Sequence, residues 1–451
     1  MENEMKSNME PRPSPQKRVG NFLIAVFGCA LLLAFSYRLV FSDSTGFLVF
    51  SSFPASEIPI DKDPPSKEST DAIYTRLPQM ALNLTKGDSL KEQCDLFSGE
   101  WIHSSGPPYT NSSCRYIGSY QDCLTNGRPD RGYLYWRWKP YGCDLPPFDA
   151  EKFLKSLQNK SWAFVGDSIL RNQIESLLCL LSQVEEGEEI YHDETFQSKT
   201  WYFSSHNFTL ALIWAPYLIK AEMKNSGHSN DGIQLHLDAL DDAWTSQYSK
   251  HDYVLISGGQ WFLKTTIFLE NGSIIGCHNC QENNIRELGT DYSYQKALEL
   301  VFGFITTSHH KPLVVLRTWT PDHFEYGEWY NGGVCNRTEP YKEGEFGGDP
   351  IDQVMRGLEI EEFEKAVADG SEHGTRLKLL DTYHLSLLRP DGHPGPYRKL
   401  HPDISKRPQN DCLHWCLPGP ADTWNDLLME IVVNEGDQRY SFSQYIYEHK
   451  E

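Results

Sequence analysis

The chain has 451 residues, with 41 Lys and Arg against 62 Asp and Glu, a formal net charge of −21 at neutral pH. Such an acidic balance argues against a nucleic-acid partner, whose phosphates call for a basic surface. The length leaves room for two or three domains or one large α/β domain, and 12 Trp and 23 Tyr supply flat faces that suit sugar rings as well as ordinary core.

Residues 1–18 are polar and carry Lys6, Arg12, Lys17 and Arg18. Residues 19–37 form an apolar run just long enough to span a bilayer. The basic residues before it place the N-terminus in the cytosol and the bulk of the chain in the lumen. The run exceeds the ~7–15 apolar residues of a signal peptide and lacks a clear small-residue cleavage site, so an uncleaved anchor is expected over a cleaved leader. Residues 38–91 include FPASEIPIDKDPPSKEST, which buries little apolar surface and reads as a stem.

Residues 92–147 carry Cys94, Cys114, Cys123 and Cys143 among many Gly, Pro and aromatic residues. Little helical periodicity is present, and a small, loop-rich lobe held by disulfides is expected. Its spacings contain no CxxC pair, so no metal is expected there. From residue 148 the pattern alternates. A short helix over 148–160 leads into a buried strand at 161–165, a tight turn at Gly166-Asp167-Ser168, and a helix with Ile169, Leu170, Ile174, Leu177, Leu178 and Leu181 at helical spacing. Strands follow at 251–257, 311–319 and 377–380, and helices at 293–309 and 360–368. Such alternation predicts an α/β domain over 148–451, a mainly parallel sheet with helices on both faces. Reactive groups then belong at the C-terminal ends of strands, where Ser168, Gly259 and Thr318 fall.

Ten cysteines lie beyond the apolar run, together with six N-x-S/T sequons at Asn83, Asn111, Asn159, Asn207, Asn271 and Asn336. Both features favour an oxidising, secretory compartment. In Cys277-His278-Asn279-Cys280 a local disulfide is expected rather than a zinc site.

Ser168 sits where unpaired helix N–H groups and the helix dipole favour negative charge. A serine there can attack a carbonyl while its own N–H holds the oxyanion. Asp167-Ser168 also fits a plain helix N-cap. A nucleophile needs a base and an acid, and two pairs qualify: Asp391 with His393, and Asp411 with His414. Asp-x-x-His is one helical turn, which lets the acid fix the imidazole tautomer and support the imidazolium, so the second pair is favoured. Arg171, one turn after Ser168, reads equally as a substrate-positioning group or a structural ion-pair partner.

CDLFSGEWI, YLYWRWKPYGCDLPPFD, GDSILRNQ, RTWTPDHFEYGEWYNGGVC, LRPDGHPGPY and DCLHWCLPGPADTWND follow one another in that order. Together they resemble the plant trichome birefringence-like family of polysaccharide O-acetyltransferases, relatives of the GDSL/SGNH hydrolases, over roughly residues 92–430. The resemblance implies an SGNH-hydrolase-like sheet, Ser168 as nucleophile, His414 as general base and Asp411 as its partner. It implies a Golgi membrane protein of type II topology that acetylates hydroxyls of a cell-wall glycan. Many members carry His where this chain has Gln260, beside Gly259 in the expected oxyanion region. GQWF and YKEGEF look closer to the xyloglucan- and mannan-acetylating branches than to the xylan branch. The implied pairing is Cys94–Cys143, Cys114–Cys179, Cys123–Cys416 and Cys335–Cys412, leaving Cys277–Cys280. No CoA-binding motif is apparent, so no bound cofactor is expected. The acetyl donor enters as a co-substrate, acetyl-CoA or a relay donor, with a membrane acetyl-supply partner as its source. The rivals are a polysaccharide acetyl-esterase and a non-catalytic glycan-binding protein.

Overall fold

A computed structural model describes residues 94–106, 108–224, 232–280 and 284–433. The expected tail, membrane anchor and stem, with Asn83, lie outside the described residues. Among the described residues no helix is long and apolar enough to cross a membrane.

Strand β1 (Gly99–His103) pairs antiparallel with β2 (Trp136–Pro140). Trp101 and Trp138 point inward from the two strands and meet edge to face at 5.6 Å. Each indole N–H is satisfied, Trp138 by Leu96 O and Trp101 by Leu385 O. The Cys-rich segment thus shares a core with the rest of the chain. Two disulfides reinforce this by tying the segment to later parts of the chain, Cys114–Cys179 and Cys123–Cys416; Cys94–Cys143 closes within it, Cys277–Cys280 and Cys335–Cys412 lie beyond it, and the five together are the pairing that the resemblance implies.

Helix α1 (Ala150–Ser156) is capped by Asp149 and leads into β3 (Ser161–Gly166), which is followed by α2 (Ser168–Leu181). The chain then runs through β4 (Glu188–His192), β5 (Lys199–Phe203), β6 (Phe208–Trp214), β7 (Ile219–Lys224), β8 (Gly232–Leu240), β9 (Tyr253–Ser257), β10 (Thr266–Glu270) and β11 (Ser273–His278). After α3 (Gly289–Thr307) come β12 (Leu313–Arg317), α4 (Pro350–Ser371), β13 (Arg376–Leu380) and α5 (Ala421–Val433).

The main sheet has the order β13-β12-β9-β3-β6-β5-β4. Its first five strands are parallel, and β5 and β4 add antiparallel to the edge. Side chains alternate across a strand, and β3 shows the consequence. Trp162 and Phe164 enter one core with α1, α2 and α5, while Ala163 and Val165 enter the other with α3 and α4. Burial on both faces explains why this strand reads as a continuous apolar run.

The expected strands and helices after residue 148 are present with shifted ends. The mainly parallel sheet is present, five of its seven strands running parallel, but the fold as a whole contains mixed sheets. Besides the antiparallel edge, a separate four-stranded sheet of order β11-β10-β8-β7 is parallel only between β8 and β10. Most of these strands escape a pattern search because they are short or exposed, as β4 is, all five of whose residues face solvent; β8 has nine residues, of which three are buried. Helix α4 is much longer than the expected 360–368, because Asp349 and Asp352 form a capping box ten residues upstream of that segment's start.

Gly166 holds the junction between β3 and α2. A Cβ there would lie 2.0 Å from the Ser257 carbonyl oxygen of β9, a backbone atom that cannot swing aside. Gly166→Ala should therefore destabilise the protein by about 3 kcal/mol, read as a lowered thermal midpoint; an unchanged midpoint refutes the constraint.

Candidate active site

Asp167 caps α2, its Oδ1 accepting from Ile169 N at 2.9 Å and Leu170 N at 3.4 Å. The cap is therefore the aspartate, and Ser168 opens the helix with its hydroxyl uncommitted. Among the described residues Ser168 Oγ makes no hydrogen bond.

Asp411 and His414 are brought together. His414 Nδ1 lies 3.1 and 3.0 Å from the two carboxylate oxygens. An ionised carboxylate only accepts, so Nδ1 carries the proton and Nε2 is left as the basic nitrogen. Asp411 Oδ1 also accepts from Leu413 N and His414 N. The Asp411 backbone exchanges two 2.9 Å hydrogen bonds with Gly395, which fixes the acid. Burial lowers the basicity of the ring, but the Asp411 charge and hydrogen bonds outweigh it and raise the His414 pKa above 6.5. Burial likewise pushes Asp411 up, and the imidazolium overcomes it to hold the carboxyl well below its usual range. The His414 side chain remains 21 % exposed.

Asn172 ties this loop to the serine helix. Its Oδ1 accepts from Trp415 N at 2.6 Å and its Nδ2 donates to Trp415 O at 3.2 Å. Trp415, which follows His414, is thereby held to a residue one helical turn after Ser168. Two disulfides flank the base, Cys335–Cys412 and Cys123–Cys416. No direct hydrogen bond joins Ser168 to His414 among the described residues; such contacts are often long in free enzymes and tighten with substrate.

The other candidate pair does not form. Both Asp391 oxygens are taken by Arg389, at 2.7 and 3.0 Å, in full burial. His393 instead contacts the His414 carbonyl oxygen through Nδ1 and His323 through Nε2, each at 2.7 Å. It backs the loop that carries the base.

Gly259 has φ +118°, and a Cβ there would meet the Trp319 ring at 2.8 Å. The Gln260 Nε2 amide donates to Thr320 O at 2.7 Å, so that hydrogen is spent on the backbone. Thr318 is buried, its hydroxyl donating to Asp381. Arg171 forms no ion pair among the described residues; its guanidinium lies 4.8 Å from the Trp214 ring centre.

Beneath the serine turn lies a charged network that pattern reading overlooked. Arg317 ends the fully buried β12 and donates to Ser257 Oγ at 2.6 Å and Thr320 Oγ1 at 2.8 Å. Burial pushes its pKa down to about 10, opposed by the charges of Asp167 and Glu359. Burial raises the Asp167 pKa, and Arg317 pulls it back. Glu359 accepts from Tyr294 Oη at 2.5 Å and Trp319 N at 2.6 Å. An arginine closing an otherwise apolar strand was the signal for this network.

The group of described residues within metal-ligand reach is Cys277, Cys280 and Glu287, and its two sulfurs are joined in a disulfide. Asn111, Asn159, Asn207, Asn271 and Asn336 are all exposed.

Residues 145–431 match a GDSL/SGNH-like acyl-esterase family found in Pmr5 and Cas1p, and residues 92–144 match the PMR5 N-terminal domain. The chain is 55 % identical over 384 residues to protein trichome birefringence-like 26 of Arabidopsis thaliana, covering 84 % of this chain and 85 % of that one. It is 37 % identical over 441 residues to xyloglucan O-acetyltransferase 1 of the same plant, covering 95 % and 99 %. With xyloglucan O-acetyltransferase 1 of Populus trichocarpa it shares 40 % over 381 residues, covering 82 % and 88 %. By sequence and by the serine–histidine–aspartate geometry together, the chain belongs to the trichome birefringence-like branch of this GDSL/SGNH-like acyl-esterase family.

Proposed function

We propose that this polysaccharide O-acetyltransferase acts on xyloglucan, with mannan the next hemicellulose, through an acetyl-Ser168 intermediate. The observation that carries the reading is the Asp411–His414 pair, tied by Asn172 to the helix that opens with Ser168. Two relatives named xyloglucan O-acetyltransferase support the acceptor.

In the first step His414 Nε2 takes the Ser168 Oγ proton as the oxygen attacks the acetyl carbonyl. The oxyanion faces the Ser168 N–H at the positive end of α2, with the Gly259 backbone as the second donor. Since Thr320 O engages the Gln260 amide, the Gln260 side chain is assigned to shaping this turn rather than to holding the oxyanion. Collapse passes the proton to the donor's leaving group. In the second step a sugar hydroxyl gives its proton to Nε2 as its oxygen attacks the acetyl-serine; the Ser168 Oγ–acyl bond then breaks, Nε2 returns the proton to Oγ, and the glycan ester leaves. Asp411 holds the ring in the required tautomer throughout. The donor is acetyl-CoA or a relay donor delivered by a membrane partner. The 19–37 run anchors the chain in the Golgi membrane with the catalytic region lumenal, carrying glycans on its exposed sequons.

The full chain, made in a secretory host, is incubated with an acetyl donor and xyloglucan, mannan or xylan oligosaccharides and assayed by mass spectrometry. A gain of one acetyl on xyloglucan is expected, with Ser168→Ala reducing the rate by about 10³-fold or more. Acetate release without acceptor labelling points to an esterase. Intact glycan binding without turnover in either chain points to a binding protein.

The rate should also depend on pH in a stated direction. His414 must be neutral to accept a proton, and its pKa is raised, so the rate rises with pH through an inflection above 6.5. Asp411→Asn removes the charge that raises it. The inflection then moves down and kcat falls by roughly 10²–10⁴-fold. An inflection left in place by Asp411→Asn sinks this assignment.

A further inference from the structure

Four side chains that the reaction steps leave unused stand beside Ser168. Trp214 ends β6 and Trp261 follows β9, both at the C-terminal edge of the parallel strands, where α/β folds place ligands. The two indoles meet edge to face at 5.7 Å. Each holds a cation: the Arg171 guanidinium lies 4.8 Å from the Trp214 ring centre, and Lys264 Nζ lies 3.1 Å from that of Trp261. Arg171 is one turn along α2 from the nucleophile. The indoles they cover end β6 and follow β9, the two strands on either side of β3, which leads into Ser168.

Neither cation has a carboxylate partner within bonding distance among the described residues, and Arg171 Nε is buried with no acceptor. A buried donor without an acceptor is costly unless a ligand supplies one. The local charge also selects the ligand. The charges of Glu175, Asp167 and Asp193 offset that of Arg171 in part, with burial raising the Glu175 pKa to about 7, so the wall offers several N–H donors in a mixed rather than a purely cationic setting. That combination suits a neutral polyol better than a phosphorylated group, because hydroxyl oxygens need donors and carry no charge to neutralise.

We propose that Arg171, Trp214, Trp261 and Lys264 form the acceptor subsite, in which a neutral sugar of the polysaccharide rests against the indoles and its hydroxyl oxygens accept hydrogen bonds from the guanidinium and the ammonium. This rests on the acetyltransferase reading and adds where the glycan sits. The indoles hold both cations in place before the glycan arrives, which limits the ordering cost of binding.

The test measures glycan binding apart from turnover. The full chain with Ser168→Ala is titrated calorimetrically with whichever of the xyloglucan, mannan or xylan oligosaccharides the unmodified chain acetylates, or with all three if it acetylates none. Adding Trp261→Ala, Arg171→Gln or Lys264→Met should weaken Kd at least fivefold each, and Lys264→Arg should restore most of the loss at position 264. Circular dichroism checks that each variant is folded, and an unfolded Trp261→Ala is replaced by Trp261→Phe. An unchanged Kd in the folded variants overturns the proposal, as does no binding of any oligosaccharide. So does displacement of the glycan by inorganic phosphate at constant ionic strength, which would mark an anion site. Failure of the acetyltransferase reading shows separately, as acetate release by the unmodified chain with no acetyl gained by any oligosaccharide.

Discussion

Ser168 and His414 lie in distant parts of the chain, and their register depends on the contact between Asn172 and the Trp415 backbone, 243 positions away. The side-chain amide satisfies both the N–H and the carbonyl of the residue that follows His414. The same face of α2 continues as a polar seam against α5. Ser176 donates to Asp422 at 2.5 Å, and the Gln173 side-chain amide donates to Asn425 Oδ1 at 3.3 Å. Apolar contacts between two helices tolerate sliding, whereas paired donors and acceptors have one alignment. Burial raises the Asp422 pKa to about 6, and the Ser176 hydroxyl and Gly419 N–H, by bonding to the carboxylate, pull it back. The seam therefore sets where the loop 411–420 emerges above the serine. The Cys123–Cys416 and Cys335–Cys412 links then restrain that loop from two sides.

The charge at Arg317 is the second constraint, and it explains how a buried aspartate can cap the nucleophile's helix. Asp167 is almost wholly out of water, where a lone carboxylate takes up a proton and loses most of its value as a cap. Arg317 supplies the opposing charge from the end of β12, two strands away across β9. The guanidinium packs 4.9 Å from the Trp424 ring centre, so α5 also holds it in place. Buried ion pairs rarely add net stability, since desolvation offsets the attraction. In the proposed mechanism this network supplies a fixed field beneath the serine turn, which need not reorganise as charge develops on the acetyl oxygen.

These dependencies explain which parts of the fold and site were legible in the sequence. The strand-turn-helix around Gly166 was legible because burial on both faces of β3 leaves an unbroken apolar run and glycine marks the turn. Asp411 and His414 were legible because their relation is local, three positions apart. The edge strand β4 was not, since an exposed five-residue strand owes its existence to its neighbour β5. Helix α4 was legible only in part because Asp352, Glu359 and Glu362 are buried, which blurs the division into apolar and polar faces. Asn172, Trp214 and Trp261 look ordinary in sequence, and Arg317 stands out only as a charge closing an apolar strand. Each takes its meaning from a partner far along the chain, and only packing shows the partner.

An acetyl-serine can be discharged by water or by a sugar hydroxyl, and the same triad serves both. The outcome turns on how firmly the hydroxyl is held at the attacking distance. Fixing two reactants in an attack geometry reaches effective concentrations of about 10⁵–10⁸ M, far beyond what bulk water can offer. Here the frame of reference for the acceptor would be the nucleophile's own helix, since Arg171 and Ser168 share its first turn. Lys264 follows β9, the strand whose end carries Gly259. A sugar bridging the two cations would then be located against both the attacking oxygen and the oxyanion region. A small displacement of either cation should favour water over the glycan without altering the triad. On this argument the division between transferase and esterase within one fold lies in the wall beside Ser168, not in Ser168, His414 and Asp411.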